Sequence, residues 1–566
     1  MPALATKLNQ SDRLLLAIVL LGTFLVYVPA LAFPFAADDA SQILGNPNVH
    51  SATHISEYFQ GHVWAHLSLA NGEHGAAYYR PLFLTWELMT WLIAGPSTVG
   101  WHASSLLLHL VATAMVYFLA RRILSEPLSA SLAAFLFGVH PAHVEAVAWV
   151  SGASESLAAV PFFGSILCWL RSHESERPTF WRFAALVAYA FALLAKETTV
   201  VLPAVLFAYE VVIRRDRTLV RRWIAPFAVV MLVYFAARHF ALRGTEHTAI
   251  PAGVLLLTWP SVLWFYVQHA LVPINLTLIY GLSLVTELSW ERVAFPALLT
   301  VTFALLVLRY SWTNRVAVFS LLLAVVTLLP PLYLRAFAPV ELVHDRYLYL
   351  PSAGVCLLIA VLVSQFRNRV AVILGTSVAL MFSVITVAES RPWANELELF
   401  SRAVRISPAS WHARRQLAFA LERLGQYDDA MPILAAILDA TPDDHVAAFA
   451  LGACEFHQGH LDEAERMMRR LIALRPDYQQ GYLLLATILL GKHQLIEAET
   501  VWNQSKAVRS GLPQPSFHLV HAEILKAHGN LPEAAREYVK ELELQPGNPE
   551  ITAALSKTLA LAGERR

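Results

Sequence analysis

Long apolar runs separated by short polar breaks dominate the sequence as far as Ala388, and they constrain the fold more than any other feature. A run of about twenty apolar residues can cross a bilayer as a helix, because a helix satisfies its own backbone polar groups. Only 15% of the 566 residues are charged, whereas soluble globular proteins carry about a quarter. From Trp393 onward charged residues become dense and no run is long enough to cross. The sequence therefore predicts a helical membrane domain followed by a soluble domain.

Charge and cysteine content exclude several other classes of protein. The 42 basic and 42 acidic side chains give a formal net charge of zero, so no whole-chain field attracts nucleic acid. Cys168, Cys356 and Cys454 are too few for a disulfide framework and do not indicate a metal cluster. The first apolar segment, 14–33, lacks a small-residue cleavage site and is followed by further apolar runs. We therefore expect it to be a retained span rather than a signal peptide.

The positions of basic residues favour eleven spans, with the stretch 252–270 apolar but not crossing. Short cytoplasmic loops are enriched in Lys and Arg, and all five basic breaks fall on the side of the N-terminus only if 252–270 lies in the interface or re-enters. The soluble domain then lies outside. The predicted spans are 14–33, 101–120, 128–146, 155–170, 181–195, 198–213, 223–241, 293–309, 315–334, 349–365 and 370–388.

Asp38 and Asp39 stand side by side where the first span ends, in FPFAADDASQILGNPNV. Two adjacent carboxylates raise each other's proton affinity unless cations or hydrogen-bond donors compensate, which suits a general base or a metal ligand. A helix cap followed by a turn at GNPN is the alternative interpretation of the same pair.

Further ionisable residues lie in the other exterior segments, and such groups are functional candidates because they are expensive at membrane depth. His140, His143 and Glu145 have the chemistry of metal ligands, but Pro141 breaks the helix that would align them. A histidine that acts as a neutral donor or a phosphate partner is the interpretation we favour. Glu155 follows in the same segment.

Three cations in these segments are candidates for binding phosphate. Arg346, in HDRYLYLPSAG, has the fork that grips a phosphate with two hydrogen bonds, although an ion pair with an aspartate would look the same in the sequence. Arg80, in YYRPL, is a second cation beside interfacial tyrosines. Lys196 and Glu197 lie between two spans, where an internal ion pair and a ligand-binding role are equally compatible with the sequence.

The soluble half repeats with a period of 34 residues. Pro408, Pro442 and Pro476 follow this period, and so do Gly425 and Gly459, each with an alanine five residues later. Small residues at fixed offsets allow two helices per unit to pack closely, which is the tetratricopeptide signature. We predict an all-α chain with a membrane domain at 1–390, a first exterior loop at 34–100, and a repeat domain at 391–566. About four repeats are expected, at 411–444, 445–478, 479–512 and 515–548.

The order of the exterior motifs, followed by these repeats, resembles the GT-C glycosyltransferases. It resembles most the transmembrane-and-tetratricopeptide O-mannosyltransferases and their bacterial relatives. The resemblance covers most of the membrane half, and the order of the motifs is far more specific than any one of them. The motifs that carry it are FAADDASQILGNPNV, YYRPL, HPAHVEAVAWVSGASES, AKE at 195–197 and HDRYLYLPSAG.

The resemblance implies a hexosyltransferase of GT-C type. It would transfer a sugar, with mannose as the first candidate, from a polyprenyl-phosphate donor to an acceptor hydroxyl at the exterior face, with inversion. Asp38 is then the expected base and Asp39 is expected to orient the acceptor or a cation, although the sequence does not decide which acid has which role. A divalent metal stays open, with these two as its ligands if one binds. The expected phosphate-binding residues are Arg346, Lys196, Arg80 and His140. The expected supporting residues are His143, Glu145, Glu155, Glu197, His344 and Asp345.

The expected partners are the lipid-linked donor, a protein or glycan acceptor, and a polypeptide bound by the repeats, with no nucleic acid. Two other classes compete with this hypothesis: a non-enzymatic scaffold that anchors the repeats, and a polymerase or transporter of lipid-linked glycans. An anchor needs only one or two spans, and the internal symmetry typical of transporters is not evident in the sequence. The exterior is either the periplasm of a bacterium, with the protein in the inner membrane, or the lumen of the endoplasmic reticulum.

Overall fold

A computed structural model describes residues 9–66, 78–124, 126–242, 250–336, 339–508, 516–545 and 548–564. Within these ranges the regular structure is entirely helical, as predicted. The chain forms two compact units, the first of which ends at Ser407 while the main part of the second begins at Pro408. The helix Glu396–Ile406 is therefore grouped with the first unit. The sequence-based limit at 390/391 stays a prediction.

The first unit is a bundle of apolar helices. Nine helices among the described residues are long and apolar enough to cross a membrane, or ten if one bent pair is counted as a single span. Large apolar side chains such as Leu232, Leu305 and Leu380 are more than 60% exposed on these helices, which fits contact with lipid rather than with water. The chain is a multi-pass membrane protein. The longer helices of this unit are Gln10–Tyr27, Pro81–Ala94, Thr98–Ile123, Pro127–Gly138, Ser154–Ser172, Pro178–Ala195, Thr218–Ala241, Ala252–Leu271, Phe295–Ser311, Arg315–Leu328, Tyr349–Val363, Asn368–Ser390 and Glu396–Ile406.

Two of the eleven predicted spans are formed by shorter helices. Arg315–Leu328 has 14 residues, and the predicted span at 198–213 consists of Leu202–Ala208 continued by a π-helical turn, Tyr209–Arg214. A third, 128–146, is bent by 47° where Pro127–Gly138 ends and Pro141–Ala148 begins. We call 127–148 the broken span.

Several helix ends and connecting segments meet at one end of the bundle, which we call the site end. Hydrogen bonds and ion pairs join residues 36–39, 80, 145–155, 196–197 and 344–346 in pairs across this end, as described below. The predicted exterior motifs are therefore brought together in three dimensions.

The helix Ala252–Leu271 has the length and composition of a membrane span, and the segments at both of its ends make hydrogen bonds to other parts of the bundle. Before it, the carbonyl oxygen of Ile250 accepts a hydrogen bond from Arg335 Nη2 at 3.0 Å. At its other end, the carbonyl oxygen of Ala270 accepts one from His140 Nε2 at 3.1 Å. The connection after it is fixed to Glu389, whose carboxylate accepts from the amides of residues 275 and 276 at 3.2 and 3.1 Å. That 252–270 does not cross stays a prediction.

The second unit consists of four helix pairs and a closing helix, Pro549–Glu564. Equivalent hydrogen bonds join successive pairs one period apart, from Gln458 to Asp428 at 2.8 Å and from Lys492 to Asp462 at 2.6 Å. The tetratricopeptide fold predicted from the period is confirmed; residues 509–515 and 546–547 of the predicted repeats lie outside the described residues. The pairs are Trp411–Arg423 with Tyr427–Ala440, His445–His457 with Leu461–Leu474, Gln479–Gly491 with Leu495–Ala507, and Phe517–Ala527 with Leu531–Leu544.

The turn within each helix pair requires a left-handed backbone. Gly425, Gly459 and Gly529 have φ values of 72°, 80° and 81° there, and His493 occupies the equivalent position in the third pair with φ of 60°. A side chain at such a position is unfavourable by about 1–2 kcal/mol. The repeat therefore explains why glycine stands at three of the four positions.

The placement of Ala252–Leu271 can be tested by labelling single cysteines with a membrane-impermeant maleimide, after the three natural cysteines are replaced. If 252–270 does not cross, as the positions of the basic residues predict, Gly253→Cys and Leu271→Cys should react from the same side of sealed vesicles. Trp312→Cys, beyond the far end of Phe295–Ser311, should react only after permeabilisation. Reaction of the first two from opposite sides would contradict this placement.

Replacing the exceptional histidine should stabilise the repeats. We expect His493→Gly to raise the local unfolding free energy by about 1 kcal/mol, because glycine adopts the left-handed conformation without a steric penalty. Amide hydrogen exchange in Gln479–Gly491 and Leu495–Ala507 measures this change. At the matching turn, Gly425→Ala should destabilise by a similar amount; an unchanged exchange rate in both variants would show that the turn carries no strain.

Candidate active site

Six charged side chains form three ion pairs at the site end, and we call them the charged cluster. Each pair joins segments that are distant in the chain, and each contains one of the predicted phosphate-binding cations. Charges that leave water near a membrane must be paired to be tolerated. The pairs are Arg80 with Glu197, Lys196 with Glu155, and Arg346 with Glu145.

Arg80 and Glu197 form a two-pronged pair. Arg80 Nε donates to Glu197 Oε2 at 3.0 Å and Arg80 Nη2 donates to Glu197 Oε1 at 2.6 Å, while the guanidinium lies 4.1 Å from the ring centroid of Tyr78. Burial disfavours the charged carboxylate, but Arg80 outweighs burial and lowers the pKa of Glu197 to about 2. Both side chains keep some exposure, 12% for Arg80 and 26% for Glu197. Arg80 is thus fixed in orientation and still accessible.

Lys196 and Glu155 form the most deeply buried pair. Their side chains are 1% and 5% exposed. Lys196 follows the last residue of Pro178–Ala195, and Glu155 lies in the first turn of Ser154–Ser172. Burial lowers the pKa of Lys196 to about 8, although Glu155 opposes this shift. The charge of Lys196 could attract an anionic ligand at a distance, but the ligand could contact the side chain only after a rearrangement.

Arg346 and Glu145 complete the cluster. The backbone amide of Arg346 donates to Glu145 Oε2 at 3.0 Å, and its guanidinium is paired with Oε1 of the same carboxylate. His344 Nδ1 lies 3.6 Å from Glu145 Oε1. The guanidinium also lies 5.2 Å from the ring centroids of both Trp149 and Tyr347. The Arg346 side chain is 14% exposed, so like Arg80 it can reach a ligand.

Tyr347 joins two of these pairs. Lys196 Nζ lies 5.2 Å from its ring centroid, the same distance as the Arg346 guanidinium. An aromatic face attracts cations, and the attraction strengthens when water is excluded. Tyr347 is 6% exposed. Its ring therefore helps to hold two like charges in one small region.

The acid pair divides into one buried and one exposed carboxylate. Asp39 Oδ1 accepts from the amide and the hydroxyl of Ser151 at 2.8 and 2.6 Å, and Oδ2 accepts from the amide of Ala36 at 3.2 Å. Ala37 has φ of 51°, and this left-handed residue turns the chain so that Asp38 is exposed while Asp39 is fully buried. Asp39 thus organises the loop, and Asp38 faces outward.

A short segment links the acid pair to the charged cluster. Ser151 binds Asp39, and Trp149, two residues earlier, lies against Arg346. Neither residue was a candidate from the sequence, because an uncharged serine and tryptophan within a quoted motif carry no signal of their own. The buried acid Glu87, on Pro81–Ala94, was also missed. A carboxylate within an apolar helix is a signal that could have found it.

Three of the predicted site residues have side chains that are paired with groups outside both the charged cluster and the acid pair. His140 Nδ1 accepts from the amide of Ala142 at 3.2 Å and its Nε2 donates to Ala270, so its ring is fully used within the protein. His143 is fully buried and its Nε2 lies 2.7 Å from Ser352 Oγ. Asp345 is paired with Tyr280 and lies 3.2 Å from His269 Nδ1.

A group of side chains placed to bind a metal ion is not evident in the part of the chain that the structure describes. No group of three or more His, Cys, Asp or Glu side chains lies there in a position to hold an ion. The oxygens of Asp39 already accept three hydrogen bonds, which leaves Asp38 as the accessible carboxylate of the pair.

Comparison with known proteins supports the predicted resemblance. Residues 80–239 match the family described as dolichyl-phosphate-mannose-protein mannosyltransferase, and residues 397–453 match the tetratricopeptide repeat. The first match contains Arg80, Glu145, Glu155, Lys196 and Glu197 of the charged cluster. The resemblance to membrane mannosyltransferases with tetratricopeptide repeats is confirmed.

Several proteins named O-mannosyl-transferases are similar to this chain. The human protein O-mannosyl-transferase TMTC3 is 24% identical over 93% of this chain and 63% of its own length. The protein O-mannosyl-transferase F38B6.6 of Caenorhabditis elegans is 25% identical over 75% of this chain and 62% of its own. The protein O-mannosyl-transferase Tmtc2 of Drosophila melanogaster is 35% identical over 31% of this chain and 19% of its own. The chain spans less than two thirds of the length of these relatives.

The burial of Asp39 predicts a specific pH dependence. Burial raises the pKa of Asp39 to about 7, despite the opposing hydrogen bonds from Ser151 and Ala36. The pKa of Asp39 in the folded state is thus higher than the usual value of about 4, which applies to the unfolded state. Between these two pH values the folded state binds a proton that the unfolded state does not bind. The contribution of Asp39 to stability therefore grows as the pH falls through 7 toward 4. Asn cannot ionise, so we expect the wild type to gain stability relative to Asp39→Asn as the pH is lowered from about 8 to about 5.

Thermal unfolding of the purified proteins in detergent across this pH range measures the difference. The exposed acid Glu287 provides a matched change, Glu287→Gln, which should follow the wild type at every pH. A gap between wild type and Asp39→Asn that stays constant with pH would contradict the assignment.

Proposed function

We propose that this protein is an inverting membrane glycosyltransferase that transfers a hexose, with mannose as the first candidate, from a polyprenyl-phosphate donor to a hydroxyl group on a polypeptide. One observation carries the proposal: a cluster of three cations lies at the same end of the bundle as an exposed acid, and the segment 149–151 connects them. A lipid-linked donor enters from the bilayer, so the catalytic groups that act on its anomeric carbon must lie at the membrane surface.

The leaving phosphate would be bound by the accessible cations. Arg346 and Arg80 are each fixed by a carboxylate and keep part of their surface exposed. As the bond from the anomeric carbon to the phosphate oxygen breaks, its electron pair passes to that oxygen, and nearby N–H groups stabilise the charge. The buried Lys196 adds positive potential from behind. His140 has no part in this step, because both of its ring nitrogens are used within the protein.

The acceptor would be activated by Asp38. The acceptor hydroxyl attacks the anomeric carbon from the face opposite the phosphate, and Asp38 takes its proton as the new carbon–oxygen bond forms. Asp39, anchored by Ser151 and Ala36, holds the loop that carries this base. Attack from the opposite face gives inversion.

The remaining elements of the proposal concern orientation and partners. The basic breaks of the sequence favour the site end on the exterior, either in a bacterial periplasm or in the lumen of the endoplasmic reticulum. The tetratricopeptide unit would bind the polypeptide that carries the acceptor hydroxyl, since such solenoids present extended concave surfaces.

The test is the transfer of labelled sugar from polyprenyl-phosphate donors to cell-envelope or lumenal acceptors, in membranes that hold equal amounts of each variant. We expect Asp38→Asn to lower the rate at least about 100-fold, because a positioned base contributes 10²–10⁴-fold. Glu287→Gln, the same chemical change at an exposed residue, should be as active as the wild type.

Full activity of Asp38→Asn would overturn the assignment of the base. Absence of transfer by the wild type with every donor, while the repeats still bind a polypeptide, would favour the scaffold over the enzyme.

A further inference from the structure

Trp149 lies between the two chemical parts of the proposed site. Its ring packs against the Arg346 guanidinium at 5.2 Å and stacks on Trp393 with centroids 6.2 Å apart and planes at 26°. Two residues later, Ser151 holds Asp39. The side chain is 7% exposed. The indole is thus fixed by its neighbours and placed between the cation and the acid pair.

The N–H group of this indole has no hydrogen-bond partner in the described part of the chain, and the nitrogen is buried. A buried donor without an acceptor is unfavourable and is rare in native proteins. Other indoles of this chain do find acceptors, at 2.8–3.2 Å. These are Trp86, Trp101, Trp169, Trp259 and Trp502.

The donor substrate would supply the missing acceptor. In the proposed inversion the phosphate and the acceptor lie on opposite faces of the anomeric carbon, and the sugar ring lies beside the line between them. Trp149 contacts Arg346, which would bind the phosphate, and precedes by two residues the serine that holds the acid pair, so we place its indole beside the sugar ring. Because its ring already packs against Arg346 and Trp393, the edge N–H is the group it has left to offer.

We propose that the N–H of Trp149, which a ligand can reach only after the side chains around it move, donates a hydrogen bond to one hydroxyl oxygen of the transferred sugar and thereby helps to select that sugar. This inference rests on the proposed glycosyl transfer and names a residue that recognises the sugar. A site built to hydrogen-bond a substrate hydroxyl rejects an analogue that lacks it, because the protein donor is then left unpaired.

The experiment compares wild type with Trp149→Phe, which removes the N–H and keeps an aromatic ring. Initial rates are measured with the donor sugar that the wild type transfers best and with each of its monodeoxy analogues on the same polyprenyl phosphate. We expect the kcat/KM of Trp149→Phe for the parent sugar to fall about tenfold or more. With one particular deoxy analogue, the variant and the wild type should agree within about twofold, since the hydrogen bond is absent from both.

Two further variants of the protein distinguish the role of the N–H group from the role of packing. Trp312→Phe, at a residue 76% exposed and far from the site, should retain wild-type rates with every donor. Incorporation of 3-benzothienylalanine at position 149 places sulfur where the N–H stands and keeps the shape of the indole. It should reproduce the pattern of Trp149→Phe even if that variant folds poorly.

The outcomes are distinct. Wild-type rates in both variants at position 149 would overturn the inference. It would also be overturned if these variants lost the same fraction of kcat/KM with the parent sugar and with every deoxy analogue. That second result would show that the indole acts on the phosphate or through packing. These results leave the glycosyl transfer itself intact. If the wild type transfers no sugar from any donor, the proposed function fails and this inference fails with it.

Discussion

Pairing of buried charges is the constraint on which the site end depends. Near a membrane, an unpaired charge that has lost its water is destabilising, and removal of one partner of a buried pair costs about 3–5 kcal/mol. The three pairs of the charged cluster meet this requirement by joining segments that lie as much as 201 residues apart, as Glu145 and Arg346 do. The pairs therefore do two things at once. They make the charges tolerable, and they fix the relative positions of the loops that carry them.

The broken span is the second structural requirement. A helix that stops inside an apolar bundle leaves carbonyl oxygens without amide partners, and other side chains must satisfy them. Gly138 O lies 2.8 Å from His109 Nε2, and Val139 O accepts from Thr386 Oγ1 at 2.7 Å. These polar residues in the bundle thus have a structural use. Because these carbonyl oxygens have hydrogen-bond partners, the chain can turn at Pro141, which places Glu145 and the 149–151 segment at the site end.

The sequence was sufficient for features that depend on local periodicity and on simple counts. Apolar runs predicted the membrane helices, and the 34-residue period predicted the helix pairs. It was insufficient where tertiary packing decides between equal neighbours. Which of Asp38 and Asp39 is buried depends on the backbone of Ala37 and on Ser151, over a hundred residues away. His140 resembled a ligand in the sequence, yet its ring is consumed by two backbone groups; no local pattern encodes that. The assignment of the catalytic and phosphate-binding residues stays a prediction.

The balance of charge in the cluster bears on the kind of ligand the site can accept. Three cations face three carboxylates, so the cluster has no net positive charge with which to attract an anion from a distance. In the proposed reaction, binding of phosphate would then depend on the directed N–H groups of Arg80 and Arg346, whose hydrogen bonds are strong only at short range and in fixed geometry. A phosphodiester carries one negative charge and a diphosphate carries two. In the proposed reaction the phosphate of a phosphodiester donor leaves as a monoester and gains a second negative charge, whereas a diphosphate would begin with two and gain a third. A cluster without net positive charge has less charge to stabilise in the first case, so the proposed reaction would favour a sugar carried on a single phosphate.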